Sequence, residues 1–126
     1  EHGIKRGVLL PVSAPFHCPL MQPAADAMAD ALGRFPPRAV LVPLFANVTA
    51  SPVSEPAEVA RLLVEQVTGR VRWRESVAAM EAAGVTHFVE FGGKVLGPMV
   101  KRSAGGEVNV TSLMSMDDIE ALLKEL

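Results

Sequence analysis

The chain has 126 residues, 49% of them hydrophobic, and its 12 Lys and Arg against 14 Asp and Glu leave a formal net charge of -2. This length suits one domain or a part of a larger one, and a single cysteine, Cys18, excludes a disulfide within the chain. The weakly acidic balance argues against nucleic-acid binding, and no apolar run approaches the roughly 20 residues that span a bilayer, so we expect neither nucleic acid nor a membrane as a partner.

The first part of the chain is predicted to contain two strands and a helix. Residues 8–12 form a short continuous apolar run, which is typical of a strand covered on both faces. From 20 to 32, apolar residues recur on one stripe, which predicts a helix with Gly33 as its C-terminal cap. A second apolar run, 39–48, predicts the next strand, and the proline-bearing segment 51–54 is interpreted as a loop.

The middle of the chain is predicted to form two helices and a strand. The first helix covers 56–67, with Ser54 as its N-cap. Its buried face is expected to consist of Val59, Leu62, Leu63 and Val67. The second helix covers 73–83 and ends at Gly84, and the apolar run 86–91 predicts a strand.

The last part of the chain predicts a helix, a strand and a second helix. Gly97 and Pro98 lie inside the helical segment 95–102, so that helix should be short or bent. A strand is predicted over 108–113, and Ser115 with Asp118 indicates a capping box at the start of the final helix. The apolar residues of this helix at helical spacing are Ile119, Leu122, Leu123 and Leu126.

The alternation of strands and helices predicts an α/β fold with a mostly parallel sheet and crossover helices. Open parallel sheets bind ligands beyond the carboxyl ends of their strands. The loops to consider are therefore 13–19, 47–55, 92–94 and the segment after Leu113.

The loop 13–19 carries a histidine between two prolines. Pro15 and Pro19 restrict the backbone on either side of His17, and a restrained loop can hold an imidazole in a fixed position. The ordinary imidazole pKa of about 6.5 suits a group that accepts and returns a proton near neutral pH. A histidine bonded only to local backbone would show the same pattern, so the loop by itself leaves both interpretations open.

Several motifs occur in a fixed order along the chain. The longest is the continuous run from Leu10 to Cys18. The others are Pro43, Asn47-Val48, Gln66, Val71-Arg72-Trp73, Ser76-Val77, Gly84-Val85, Glu90, Gly93-Lys94-Val95-Leu96 and Lys101-Arg102. Together they closely resemble the malonyl-CoA:acyl-carrier-protein transacylases of fatty acid synthesis. The similarity covers essentially the whole chain.

The resemblance implies that residues 1–126 are the C-terminal part of an α/β hydrolase-like acyltransferase large subdomain. It also implies that the nucleophilic serine of a Gly-x-Ser-x-Gly turn and a ferredoxin-like subdomain belong to an N-terminal part that this sequence does not contain. That missing part is an expected partner, and we expect the chain alone to be inactive. In one detail the chain departs from the family: Gly92-Gly93 before Lys94 is one residue shorter than the family's Gly-Pro-Gly.

The resemblance further implies transfer of a malonyl group from malonyl-CoA to the phosphopantetheine thiol of acyl carrier protein, through an acyl-serine intermediate. His17 matches the family's general acid and base, and Gln66 matches the glutamine whose main-chain carbonyl orients that histidine. The expected partners are malonyl-CoA and acyl carrier protein, in the cytoplasm, with neither a metal nor another cofactor. The alternative is a non-catalytic acyltransferase-like docking module of a larger synthase.

Three other features have a possible functional interpretation. Cys18 beside His17 suggests a Cys–His nucleophile, but adjacent residues rarely point their side chains at each other. A metal site is not indicated, because no ligand spacing joins His17, Cys18, His87 or the pair Asp117-Asp118. Five basic residues have two possible interpretations: Arg70, Arg72, Arg74, Lys101 and Arg102. They could form a basic rim that meets an acidic carrier protein or the phosphates of coenzyme A, or they could be ordinary solvated side chains.

Overall fold

A computed structural model of the chain describes Gly3, Gly7, Leu9 and residues 11–125. The helices in this part are α1 (Gln22–Arg34), α2 (Pro56–Thr68), α3 (Trp73–Ala82), α4 (Leu96–Ser103) and α5 (Met116–Glu125). The strands are β1 (Leu44–Ala46), β2 (Ser51–Val53), β3 (His87–Phe91) and β4 (Asn109–Leu113). None of the helices described is long and apolar enough to cross a bilayer.

The predicted parallel arrangement is found in the C-terminal half. Strands β3 and β4 pair in parallel, with Phe91 opposite Leu113, and α4 connects them and packs against both. Pro98 is tolerated because it lies in the first turn of α4, where its missing N–H would have had no partner within the helix. Gly97 allows α4 to approach the sheet, since a Cβ at this position would lie 2.9 Å from Cγ1 of Val110.

The N-terminal pair of strands does not follow the prediction of a mostly parallel sheet. The sequence predicts one strand over 39–48, but only Leu44–Ala46 is a strand, and it pairs antiparallel with Ser51–Val53, a segment predicted as a loop. The turn between them is closed by the N–H of Ala50, which donates to the carbonyl of Ala46 at 2.8 Å. A short turn can join only antiparallel neighbours, so this hairpin cannot be a crossover unit.

The prediction of a first strand over 8–12 is wrong at the positions that the structure describes. Leu9, Pro11 and Val12 have no strand backbone, and Leu9 is 99% exposed. Val8 and Leu10 lie outside the described residues. A strand requires a hydrogen-bonding neighbour, and no described strand pairs with this segment.

Prolines set the end of α1 and the start of α2, and the caps at both boundaries differ from the sequence prediction. Helix α1 follows a 3₁₀ turn over Pro19–Met21 and continues through Gly33, so Gly33 is not its C-cap. It ends before Phe35, because the ring of Pro36 disfavours helical backbone at the preceding residue.

The start of α2 is also set by a proline. Pro56 is the first helical residue, as predicted, and it forces Glu55 into extended backbone. The N-cap of α2 is therefore Glu55 and not Ser54, and no side chain caps this end. On the predicted inner face, Val59 and Leu62 are buried.

The C-terminal end of α3 and the N-terminal start of α5 follow the sequence prediction. Gly84 follows α3 with a φ of +92°, a conformation that glycine adopts without strain. At α5 the capping box is confirmed: the N–H of Asp118 donates to Oγ of Ser115 at 3.2 Å, and the N–H of Ser115 donates to Oδ2 of Asp118 at 2.9 Å. The predicted apolar residue Leu126 lies outside the described residues.

Candidate active site

His17 lies in an exposed loop before α1 and has left-handed backbone, with a φ of +57°. Few residues other than glycine adopt this conformation, and such strain persists only where neighbouring contacts fix the chain. Here the N–H of Phe16 donates to the carbonyl of Ala14 at 3.0 Å, and the thiol of Cys18 donates to the carbonyl of Pro15 at 3.0 Å. These two bonds close the loop on either side of His17 into a compact turn.

The imidazole of His17 contacts the end of α2. Its Nδ1 lies 2.8 Å from the main-chain carbonyl oxygen of Gln66, 49 positions along the chain. A carbonyl can only accept a hydrogen bond, so Nδ1 carries the hydrogen and, in the neutral ring, Nε2 carries the lone pair. The structure therefore brings together the two residues that the sequence analysis selected, through the main-chain atom that the resemblance implied.

The carbonyl of Gln66 is available because α2 ends shortly after it. Within a longer helix it would accept the N–H four residues later, but α2 stops at Thr68. Gly69 makes this ending possible, since a Cβ there would lie 2.9 Å from the carbonyl oxygen of Glu65 and 3.0 Å from Cγ1 of Val48.

Asn47 is a polar residue of this site that the sequence analysis included in a motif without giving it a role. Its Nδ2–H donates to Oε1 of Gln66 at 2.8 Å, and its main-chain carbonyl accepts the N–H of Arg72 at 2.8 Å. Both Asn47 and Gln66 are partly buried. The available signal was its position near the carboxyl end of the predicted strand 39–48, where the loop 47–55 begins.

Glu90, on β3, holds the start of α4. Its carboxylate accepts the backbone N–H groups of Val95, Leu96 and Gly97, each at 2.9 Å. These donors, that of Leu96 most strongly, lower the pKa of Glu90 below its usual value against the opposing effect of desolvation. The positive end of α4 is therefore neutralised by a carboxylate of the chain itself.

The shortened glycine turn fits this carboxylate. A Cβ on Gly93 would lie 2.9 Å from Oε1 of Glu90, and Gly92 has a φ of +76°. Gly92 adopts a backbone conformation that favours glycine, and a side chain at Gly93 would displace the carboxylate of Glu90. The turn between β3 and α4 therefore packs on Glu90.

The structure does not support the alternative chemistries considered for the other residues. The thiol of Cys18 donates to a backbone carbonyl, and Nε2 of His87 lies 2.8 Å from Oγ1 of Thr111, within the sheet. In the part of the chain that the structure describes, no three His, Cys, Asp or Glu residues are grouped as metal ligands.

Three of the arginines proposed for a basic rim are engaged in local contacts. Arg70 lies 3.7 Å from the carboxylate of Glu75, and Nη1 of Arg72 donates to the carbonyl of Thr49 at 3.1 Å. Arg102 donates from Nε to the carbonyl of Pro98 at 3.1 Å. A docking role for this rim stays a prediction.

Comparison with known proteins identifies relatives of this chain, although no family model matches it. The chain is 42% identical over 103 residues to the malonyl CoA-acyl carrier protein transacylase of Bacillus subtilis, which covers 81% of the chain and 32% of that protein. It is 36% identical over 126 residues to the Haemophilus influenzae protein of the same name, covering 98% of the chain and 40% of that protein. The chain thus spans 32% to 40% of the length of these two curated relatives.

Solved structures show the same similarity. The acyl-carrier-protein-S-malonyltransferase of Bartonella henselae matches 98% of the chain with a TM-score of 0.87 and 48% identity, over 39% of its own length. A malonyl-transacylase in complex with a type II PKS acyl-carrier protein also matches with a TM-score of 0.87, at 30% identity. It covers 98% of this chain and 40% of that one. The α/β arrangement of this chain is therefore that of the corresponding part of these proteins.

Proposed function

Because the chain belongs to the malonyl CoA-acyl carrier protein transacylase family, we propose that it is the C-terminal part of such an enzyme and supplies its general acid and base, His17. The enzyme would transfer a malonyl group from malonyl-CoA to the phosphopantetheine thiol of acyl carrier protein, in fatty acid synthesis. The serine nucleophile would come from the part of the protein outside this chain, so the chain alone would not turn over.

The observation that carries the proposal is the contact between Nδ1 of His17 and the carbonyl of Gln66 at 2.8 Å. A general base needs one nitrogen with a lone pair and a ring held in one orientation. The Gln66 carbonyl supports both requirements, because it fixes the tautomer and leaves Nε2 to accept a proton.

The reaction would proceed in two transfers through an acyl-serine. Nε2 of His17 takes the serine hydroxyl proton while Oγ attacks the thioester carbonyl, and the proton then passes to the departing thiolate of coenzyme A. In the second transfer Nε2 takes the proton of the carrier-protein thiol, whose sulfur attacks the malonyl ester. The serine oxygen leaves and recovers that proton, so the enzyme returns to its starting state without a metal or another cofactor.

A carbonyl partner suits this chemistry. It stabilises an imidazolium less than the carboxylate of a Ser-His-Asp triad does, because it carries only a partial charge. A thioester is a more reactive acyl donor than an amide, so a weaker acceptor at Nδ1 should be sufficient.

We further propose that the chain completes a hydrolase-like large subdomain of a cytoplasmic enzyme. The parallel unit β3–α4–β4 supports this proposal, since a two-stranded parallel pair is normally part of a larger sheet. A serine-bearing strand and turn in the remaining part of the protein would then lie near the loop of His17.

The test is the His17→Ala variant of the complete protein. We expect the burst of acyl-serine formation from malonyl-CoA to slow by at least about a hundredfold, the usual contribution of a general base. The matched control is His87→Gln, which changes a histidine on β3 whose Nε2 contacts Thr111. A burst that is unchanged in His17→Ala would contradict the assignment of His17 as general base. A complete wild-type protein that forms no acyl-serine would instead favour a non-catalytic docking module.

A further inference from the structure

We propose that Asn47 is a positioning residue, which fixes the carbonyl of Gln66 and thereby orients the imidazole of His17. This inference rests on the proposed function, because it deepens the role of the same site. The side chain of Asn47 bonds to Gln66, whose carbonyl contacts His17, so its effect on the imidazole would be transmitted through Gln66.

The contacts of Asn47 restrain the end of α2 from two sides. Its side-chain amide donates to Oε1 of Gln66 at 2.8 Å, and its carbonyl accepts the N–H of Arg72 at 2.8 Å. The first bond holds the residue whose carbonyl contacts His17. The second holds the segment that leads from α2 into α3.

Asn47 itself occupies a well-fixed position. It follows β1 directly and begins the turn that leads into β2, a turn closed by the bond from Ala50 to Ala46. Val48, the next residue, packs against the α-carbon of Gly69, where a Cβ would lie 3.0 Å from its Cγ1. The hairpin therefore supports the end of α2 through adjacent polar and apolar contacts.

Such support is needed because the last turn of a helix frays more readily than its interior. Gln66 lies in that turn, and His17 depends on the Gln66 carbonyl for its hydrogen bond at Nδ1. A shift of the carbonyl would rotate the ring and move Nε2. Misplacement of a reacting group by about 1 Å can lower a rate by about a hundredfold.

The inference also gives the Gln66 side chain a function. Any residue could provide a main-chain carbonyl at this position. If the contact with His17 were the only role of Gln66, the identity of its side chain would not matter. The bond to Asn47 instead requires an acceptor at the end of a side chain of this length. We therefore expect removal of either partner to have the same effect.

The test uses Asn47→Ala, Gln66→Ala and the double variant in the complete protein. We expect each single variant to lower kcat about tenfold, with KM for malonyl-CoA changed less than about twofold, since the bond orients the base and does not bind substrate. The double variant should lose no more than either single one, because the two residues act through one bond. Additive losses, or losses in KM alone, would overturn the inference.

The matched control is Gln22→Ala. It removes another hydrogen bond that a side-chain amide donates: Nε2 of Gln22 donates to Oδ1 of Asp26 at 2.8 Å, on an exposed part of α1. We expect kcat and KM of this variant to stay at the wild-type values. A tenfold loss in this control as well would show that the Asn47 effect is not specific to the site.

A second measurement reads the imidazole directly and does not depend on turnover. In protein labelled with ¹⁵N-histidine, the His17 signals, assigned by their loss in His17→Ala, should show the Nδ1–H tautomer in the wild type and a mixture in Asn47→Ala. An unchanged tautomer in Asn47→Ala would overturn the inference. A changed tautomer in a complete protein that transfers no malonyl group would support the positioning and refute the proposed function instead.

Discussion

At the scale of single residues, the carboxylate of Glu90 stabilises the N-terminus of α4. The carboxylate accepts three consecutive N–H groups at the start of α4, where the helix has no internal partners for them. The bonds favour the ionised form, and this is why the pKa of Glu90 is lowered. The same contacts hold the glycine turn between β3 and α4 in place.

This arrangement predicts a pH-dependent effect of Glu90→Gln. The lowered pKa means that the ionised carboxylate stabilises the fold at pH values above the ordinary value of 4.5, and that this contribution is lost as the pH falls through the lower value of the folded protein. At about pH 7 we therefore expect faster hydrogen exchange at the amides of Leu96 and Gly97 in the variant.

The measurement compares these exchange rates in variant and wild type at matched pH. The difference should begin to shrink below pH 4.5 and should disappear as the pH falls through the lower pKa of Glu90 in the folded protein, where the wild-type side chain also becomes neutral. Glu120→Gln, at an exposed position of α5, removes the same charge and should leave the α4 amides unchanged. A difference that is constant with pH would show that the carboxylate charge does not hold this turn.

The candidate site could be predicted from sequence only in part. His17 was identified by its place between prolines and by motif resemblance, and Gln66 by resemblance alone. The bond between Asn47 and Gln66 was not predicted, because it depends on where β1 ends and where α2 stops. The two residues are 19 positions apart, so no local pattern predicts their contact.

At the scale of elements, two glycines in or next to helices should respond oppositely to alanine. Gly69→Ala places a Cβ 2.9 Å from the carbonyl oxygen of Glu65, which is rigid backbone, so we expect a loss of about 1–3 kcal/mol in the free energy of unfolding. Gly33 lies within α1 and has no atom within 4 Å of an added Cβ. Gly33→Ala should therefore gain about 0.5–1 kcal/mol.

Denaturant unfolding of both variants tests this pair. Gly69→Ala should also lower the rate of acyl-serine formation, because it displaces the end of α2 and with it the carbonyl that contacts His17. Gly33→Ala should leave that rate unchanged. Equal stabilisation by the two substitutions would contradict the close packing of Gly69.

Helices could be predicted from the sequence more accurately than strands. Helices were identified correctly because apolar spacing is a property of the segment itself, as in α2 and α5. Strands depend on neighbours, and a continuous apolar run such as 39–48 does not indicate where pairing stops. Prolines at 36 and 56 moved two helix boundaries by excluding helical backbone at the residue before each.

At the scale of the whole molecule, the exposed surface is large for the mass. A compact monomer of 13.4 kDa exposes about 6,500 Å², whereas this chain exposes 9555 Å². The surplus on this one chain is somewhat larger than the area that each member of a permanent complex usually buries, on the order of 1,000–2,500 Å². This fits a chain that spans only 32% to 40% of the length of its relatives.

One group of exposed apolar side chains lies at the carboxyl ends of β3 and β4. Phe91 is 72% exposed, and Met114 and Met116 are 57% and 69% exposed. Burying a side chain of this kind contributes about 1.5–3 kcal/mol. A contiguous exposed patch on an isolated protein therefore favours association with another apolar surface.

We accordingly predict that the 126-residue chain, prepared alone, self-associates in a concentration-dependent way. Phe91→Lys combined with Met114→Lys should reduce this association, because it removes two large apolar side chains from the patch and adds charge. Ala29→Lys combined with Ala82→Lys adds the same charge at exposed positions of α1 and α3 and should change association much less. Light scattering coupled to size exclusion measures the mass of each variant, and a wild-type chain that is monomeric at all concentrations with a cooperative thermal transition would contradict the prediction.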